Sequence, residues 1–219
     1  MIANPDFDSL VPAQFFDRRN FLVTSLGAGL ALAVQPAVAQ TAIRTDNAGL
    51  LAGEVKVPVK VPVKDGEMVA YRAVPKGASN PPVVLVISEI FGVHEYIRDV
   101  CRRLGKLGYC AIAPELFARL GDPRQVSSVP EILARITSKT PDAQVMSDLD
   151  ATVAWAAKHG ADTSRLAITG FCWGGRITWL YCAHSSRVRA GVAWYGRLVG
   201  EVNEFTPRHP LDVVDQLKA

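Results

Sequence analysis

The stretch that most constrains the fold is Arg165-Leu-Ala-Ile-Thr-Gly-Phe-Cys-Trp-Gly-Gly-Arg176. The short apolar run from Leu166 to Thr169 reads as a buried strand, and the segment from Arg176 onward reads as a helix. Between them only Gly170-Phe171-Cys172-Trp173-Gly174-Gly175 is left to reverse the chain. A strand and a helix joined so abruptly pass close together, so Gly170 and Gly174 remove side chains that would collide, and the residue at the apex takes strained backbone angles.

The pattern is G-x-Nuc-x-G, a nucleophile elbow with cysteine where serine is commoner. Held at a helix N-terminus, the Cys172 sulfur is expected to feel partial positive charge that favours thiolate and lowers its pKa. The backbone N–H of Trp173 would point into the same space, as one half of an oxyanion hole. A plainer reading makes Cys172 a small buried hydrophobe and the glycines a simple turn.

The 219 residues, 49% hydrophobic and 21% charged, suffice for one globular domain with a sizeable core. A net charge of +3, with no block of Lys and Arg interleaved with aromatics, gives no ground for a nucleic-acid partner.

Residues 1–39 read as a leader separate from that domain, followed by a linker over 40–53. Asp17-Arg18-Arg19-Asn20-Phe21-Leu22 precedes a mildly apolar, Gly- and Ala-rich run to Val34, and Ala37-Val38-Ala39 is an A-x-A cleavage site. This resembles a twin-arginine export signal, so a periplasmic or secreted protein is expected. Asp6, Asp8 and Asp17 depart from the pattern by leaving the region before the apolar run net negative. An uncleaved anchor helix is the alternative, but Gly27, Gly29, Gln35 and Pro36 make a poor membrane span, so no stable membrane anchor is expected after cleavage.

Export implies an oxidising compartment and directs attention to the four cysteines. Cys172 and Cys182 fall on one helix, about 15 Å apart at about 1.5 Å per residue, whereas a disulfide tolerates Cα atoms about 7 Å apart at most. Cys101 in a helix and Cys110 in the following strand leave a bridge open. With no C-x-x-C, and only His94, His159, His184 and His209 to help, neither a zinc cluster nor any other metal or cofactor is expected.

From residue 54 the chain begins with a hairpin signal. Glu54 to Val63 and Met68 to Val74 are rich in valine, and Lys64-Asp65-Gly66-Glu67 between them marks a turn. Pro58 and Pro62 place the first of these strands at an edge. Val83 to Ile87 is a continuous apolar strand covered on both faces, running into Ser88-Glu89-Ile90-Phe91-Gly92-Val93. A helix from Glu95 to Lys106 presents Ile97, Val100, Cys101 and Leu104, and Gly108 closes it. Tyr109 to Ala113 is a second buried strand. A loop with a short helix over Pro130 to Ile136 follows, then a helix from Asp142 to Lys158 with Val145, Leu149, Val153 and Trp155 or Ala156 inward. After the elbow, Ala190 to Gly196 forms another strand, and Pro210 to Ala219 a short amphipathic helix. Strands alternating with helices indicate a mostly parallel sheet with helices on both faces.

Four stretches in order support a named resemblance: Glu89-Ile-Phe-Gly-Val93, Ala113-Pro-Glu-Leu-Phe-Ala-Arg119, Gly170-Phe-Cys-Trp-Gly-Gly175 and Ala193-Trp-Tyr-Gly196. From residue 54 to 219 the chain resembles the first two thirds of the dienelactone hydrolase family, α/β-hydrolase-fold enzymes with a cysteine nucleophile. The resemblance implies that Cys172 attacks a lactone or ester carbonyl to give a thioester, with backbone N–H groups of Ile90 and Trp173 on the oxyanion. It implies that Glu89 hydrogen-bonds the thiol and takes its proton when substrate arrives, and that Arg119 grips a substrate carboxylate. Tyr195 is expected at the pocket wall, if it does not belong to the core. The partner implied is a small lactone or ester; oligomeric state is left open.

One departure stands out. In this fold the triad runs nucleophile, acid, histidine, with the acid after a later strand. His184, His209, Glu201, Glu204, Asp212 and Asp215 all precede any such strand, so no catalytic base is assigned and the domain reads as truncated at its C-terminus. A binding or vestigial domain without turnover, and a thiol redox protein, are the alternatives. The second of these lacks a resolving cysteine.

Overall fold

A computed structural model describes residues 44–61, 63 and 66–217. The expected leader and the turn residues Pro62, Lys64 and Asp65 lie outside the described residues.

The hairpin forms where alternating valines and a turn predict it. Strand β1 (Leu50–Pro58) pairs antiparallel with β2 (Glu67–Pro75), from Leu50 opposite Pro75 to Pro58 opposite Glu67. It starts at Leu50, inside the stretch read as a linker, because Gly49 at φ +73° turns the chain and the Leu50 N–H closes on the Asn47 carbonyl at 2.9 Å. Pro58 ends β1, which lies at the sheet edge, where a missing N–H costs no ladder bond.

Strand β3 (Pro82–Ile87), helix α1 (Glu95–Lys106) and strand β4 (Cys110–Pro114) follow. Next come helix α2 (Val129–Arg135) and helix α3 (Asp142–Lys158). Strand β5 (Asp162–Phe171), helix α4 (Trp173–His184) and strand β6 (Val188–Trp194) complete the sheet. The order is β1-β2-β4-β3-β5-β6. β4, β3, β5 and β6 run parallel, while β2 joins β4 antiparallel. The expected terminal amphipathic helix is a 3-10 helix, Pro210–Gln216, with Val213 buried.

Strand parity divides the core. Val83, Leu85, Ile87, Cys110, Ile112, Leu166 and Ile168 project to one face, packed by α3 and α4 through Leu149, Val153, Ile177 and Tyr181. Val84, Val86, Ala111 and Ala113 project to the other, under Ile97 and Cys101 of α1. Leu85, Ile87 and Ile112 are fully buried, each stabilising the fold by about 1.5–3 kcal/mol. The same parity answers the disulfide question. Cys101 packs on one side of the sheet and Cys110 on the other, and both are free thiols.

Helix α1 differs from its expected face. Ile97 and Cys101 are buried, but so are Asp99 and Arg102. Asp99 receives Arg102 at 3.2 Å, Arg103 at 2.6 Å and the Thr45 N–H at 2.6 Å. Arg102 also meets Glu95 at 2.5 Å and the Tyr71 hydroxyl at 3.3 Å. Burial alone would raise the Asp99 pKa, but these donors outweigh it and hold it below the ordinary carboxylate value.

Candidate active site

Sheet register builds the site. Ile87 pairs with Gly170 across β3 and β5, and Gly170 with Ala193 across β5 and β6. Two residues beyond each of these lie Glu89, Cys172 and Tyr195. The three therefore occupy equivalent positions past the carboxyl ends of adjacent parallel strands, where open α/β sheets bind their ligands.

The elbow is as the glycine pattern predicts. Cys172 sits between β5 and α4 at φ +54°, a conformation rare for a side-chain-bearing residue. A Cβ on Gly170 would lie 2.2 Å from the Gly174 carbonyl oxygen, and one on Gly174 would lie 2.5 Å from the carbonyl oxygens of both Ile87 and Ser88. The end of β3 is thus pressed against the first turn of α4. β6 clamps the other side: the Cys172 N–H donates to the Trp194 carbonyl at 3.0 Å, and a Cβ on Gly175 would lie 2.5 Å from that oxygen.

The Cys172 thiol departs from expectation. Its pKa is raised: burial is the largest cause, the Trp173 N–H lowers it, the Glu89 carboxylate raises it and Arg197 lowers it. The single N–H at the helix end does not offset desolvation together with a neighbouring negative charge. The resting group is a thiol.

Glu89 is 6% exposed. The resemblance implies a hydrogen bond to Cys172; the structure instead gives Glu89 to His94, Oε2 to Nε2 at 2.9 Å, while its charge still acts on the thiol. Tyr195, at φ +39°, lies against the same carboxylate. Its phenol is pushed up to about 12 by partial burial and then by Glu89 and Cys172. Phe171 packs near Tyr195, Tyr96 and Trp194, with ring centroids 6.1–6.5 Å away. Tyr195 is therefore an exposed residue beside Glu89 and Cys172 rather than part of the core.

Of the two expected oxyanion donors, the Trp173 N–H reaches the Cys172 sulfur. Ile90 is buried in the turn after Glu89, on the segment pressed against Gly174.

Arg119 has partners that the resemblance does not imply. Its Nη1 and Nη2 donate to Asp148 at 2.7 and 2.9 Å, and Nε and Nη2 donate to the Val61 carbonyl at 3.1 and 2.5 Å. The fork that would grip a substrate carboxylate is closed on a fully buried aspartate. Burial raises the Asp148 pKa, with Arg119 acting against it. Arg119 ties the loop after β4 to α3.

The later histidines, His184 and His209, bond to residues other than Cys172. His184, in the last turn of α4, pairs with Asp150 at 2.9 Å. His209 is buried between the Arg176 Nε at 3.3 Å and the Glu201 carbonyl at 3.1 Å. Arg176 is closed on Asp142 by two bonds of 2.7 Å.

Sequence reasoning missed the residues that hold the loop beside Glu89. The Val93 N–H donates to Glu115 at 3.2 Å, and the Val93 carbonyl receives Arg124 at 3.0 Å and Arg98 at 3.2 Å. Burial raises the Glu115 pKa, with Arg124 opposing. Nothing in the sequence pattern pairs His94 with Glu89, which the structure brings together. Among the described residues no group of three or more His, Cys, Asp and Glu side chains is arranged to hold a metal.

Comparisons with known proteins identify the family. The profile of the "Dienelactone hydrolase family" matches residues 68–219. A Methylorubrum extorquens protein named "Putative carboxymethylenebutenolidase" is 58% identical over 215 residues, 98% of this chain and 72% of that protein. An Escherichia coli K12 protein of the same name is 47% identical over 199 residues, 90% of this chain and 72% of its own length. The crystal structure of a "Putative Dienelactone Hydrolase" from Klebsiella pneumoniae superposes with a TM-score of 0.74 at 53% identity, covering 77% of this chain and 69% of that one. With the elbow, the sheet order and these relatives in agreement, the chain belongs to the dienelactone hydrolase family and is a hydrolase of the α/β-hydrolase fold.

Proposed function

We propose that the protein hydrolyses lactones or related carboxylic esters through a thioester on Cys172. The observation that carries this is the alignment of Glu89, Cys172 and Tyr195 past three adjacent strand ends. On substrate binding the Cys172 S–H proton passes to Glu89 as sulfur adds to the carbonyl carbon. The N–H groups of Trp173 and Ile90 receive the oxyanion. Collapse breaks the ester C–O bond, the leaving oxygen takes the proton from Glu89, and a thioester remains. Water then cleaves the C–S bond, leaving the carboxylic acid and a re-protonated thiol.

The raised thiol pKa supports this gated order. A sulfur that stays protonated until substrate arrives resists oxidation better than a standing thiolate. It suits the compartment proposed for the protein, the periplasm or the exterior, reached through a twin-arginine signal in residues 1–39. Replacing both Arg18 and Arg19 by Lys is expected to leave the protein unprocessed inside the cell. Normal processing of that double variant would reject the export route.

The chemistry is tested with Cys172→Ala, assayed on a small carboxylated lactone and on an uncharged ester. Both activities are expected to vanish while the thermal unfolding midpoint holds. Full activity in Cys172→Ala would overturn the assignment. Because Arg119 is occupied by Asp148, the carboxylated substrate is expected to gain little over the uncharged one.

A further inference from the structure

We propose that His94 is a positioning residue for the proton acceptor of this site, fixing the Glu89 carboxylate so that it meets the Cys172 thiol in a single orientation. The inference rests on the cysteine chemistry proposed above and extends it to a residue that this chemistry does not otherwise use.

The first observation is where the histidine sits. His94 holds the N-cap position of α1, yet its side chain makes no capping bond. N-cap positions favour Ser, Thr, Asp and Asn, whose oxygens satisfy the first free N–H groups of the helix. Here the ring stacks near Tyr96, with centroids 6.4 Å apart, and its Nε2 lies 2.9 Å from Glu89 Oε2. Capping does not account for a histidine in this place, and its polar partner is Glu89.

The second is how firmly its backbone is held. Val93, the preceding residue, has its N–H on Glu115 and its carbonyl on Arg124 and Arg98. Gly92 at φ +74° makes the turn, and a Cβ there would come within 3.1 Å of Glu115 Oε2. Three charged side chains from the end of β4, the loop after it and α1 thus fix the residue before His94.

The third is the demand on Glu89. Its carboxylate lies between His94, the Tyr195 hydroxyl and the Cys172 sulfur. The terminal torsion of a glutamate is soft, so an untethered carboxylate would spread its lone pairs over many directions. A general base contributes only when it lies within hydrogen-bond reach of the proton it accepts. Anchoring Oε2 on a ring with a fixed backbone leaves the remaining lone pairs in a fixed direction. His94 does not touch the reacting atoms; it acts through Glu89.

The test measures acylation rather than turnover. The full-length protein is mixed with p-nitrophenyl acetate, the p-nitrophenol burst is followed, and the thioester is located by mass on the Cys172 peptide. His94→Ser removes the contact while supplying a favoured N-cap, so it is expected to fold at least as well as the parent. Its acylation rate constant is expected to fall about tenfold or more, with the half-saturating ester concentration unchanged. His94→Gln, whose amide nitrogen reaches the same point as Nε2, is expected to recover most of the rate. Wild-type acylation in His94→Ser, or His94→Gln as slow as His94→Ser, would overturn the proposal. Cys172→Ala run alongside separates the two ideas: a burst that survives in it removes the cysteine chemistry and this inference together. A burst lost in Cys172→Ala but unchanged in His94→Ser removes only the role of His94.

Discussion

The two halves of the site are held by different means. Cys172 is placed by backbone: four glycines at 170, 174, 175 and 196 admit no side chain, each hypothetical Cβ lying 2.5 Å or less from a backbone atom. Glu89 is placed by side chains, through His94 directly and through Glu115, Arg124 and Arg98 on the Val93 peptide. A contact set by main-chain atoms has no soft coordinate to absorb an added methyl group. A contact set by long polar side chains does. The Cys172 elbow is therefore expected to fail abruptly on substitution and the Glu89 side by degrees.

The largest effect expected from this contrast is at Gly174. Gly174→Ala would drive a methyl group into the carbonyls of Ile87 and Ser88, and the main chain of both β3 and α4 would have to move. A loss of about 3 kcal/mol or more in denaturant unfolding is expected, at the upper end of overpacking costs. A loss below about 1 kcal/mol would mean the elbow is softer than its geometry implies.

Next is Glu89→Gln, which keeps the shape of the site but removes its negative charge. Since that charge raises the thiol pKa, the pH midpoint for alkylation of Cys172 by iodoacetamide should move down. Burial, the larger cause, should still keep it above the ordinary cysteine value. The other three cysteines are at most 5% exposed, so the native reaction reports on Cys172. Acylation by ester should slow in the same variant, because the proposed proton acceptor is gone. Faster alkylation with slower acylation is the expected pair, and an unchanged midpoint would show that Glu89 does not reach the sulfur.

Smaller again is Arg124→Ala. Its side chain is 36% exposed, and pairs of this kind contribute about 0–1 kcal/mol. The acylation rate is expected to fall several-fold with little change in stability. The smallest effect lies with Glu115. Its pKa is raised in the folded state, so its contribution to stability is fully present below the unfolded carboxylate pKa and is lost as pH rises through the higher folded value. Glu115→Gln should flatten that decline in a pH series of thermal midpoints, and an unchanged slope would place the decline elsewhere.

The same contrast explains what the sequence shows and what it hides. The elbow, the edge hairpin and α3 from Asp142 to Lys158 are legible because each follows from local rules: glycine spacing, valine alternation, helical period. The Arg119 contacts are hidden for another reason. The motif placed the arginine at the right point of the chain, but its fork is closed by Asp148, which a sequence shows only as one more residue of an α3 face. Asp99 and Arg102 were hidden for the same reason, since the partners that accompany their burial, Thr45 and Tyr71 among them, lie far away in the chain. The lowered thiol pKa expected at Cys172 came from counting the helix end and omitting the burial around it, which no local pattern reports. His94 was visible as a residue but not as a partner, because a loop rather than a helix or strand sets its reach.

The equivalent strand-end positions of Glu89, Cys172 and Tyr195 make the sheet a ruler. Hydrogen bonding spaces neighbouring strands at roughly 4.8 Å, so acid, sulfur and phenol are laid out on a scale that backbone ladders graduate and side-chain volumes do not. Changes of volume within the core can loosen or tighten the helices against that ruler without rescaling it. A one-residue slip of β3 or β6 against β5 would misread it by a whole division, turning a chemical group to the opposite side of the sheet.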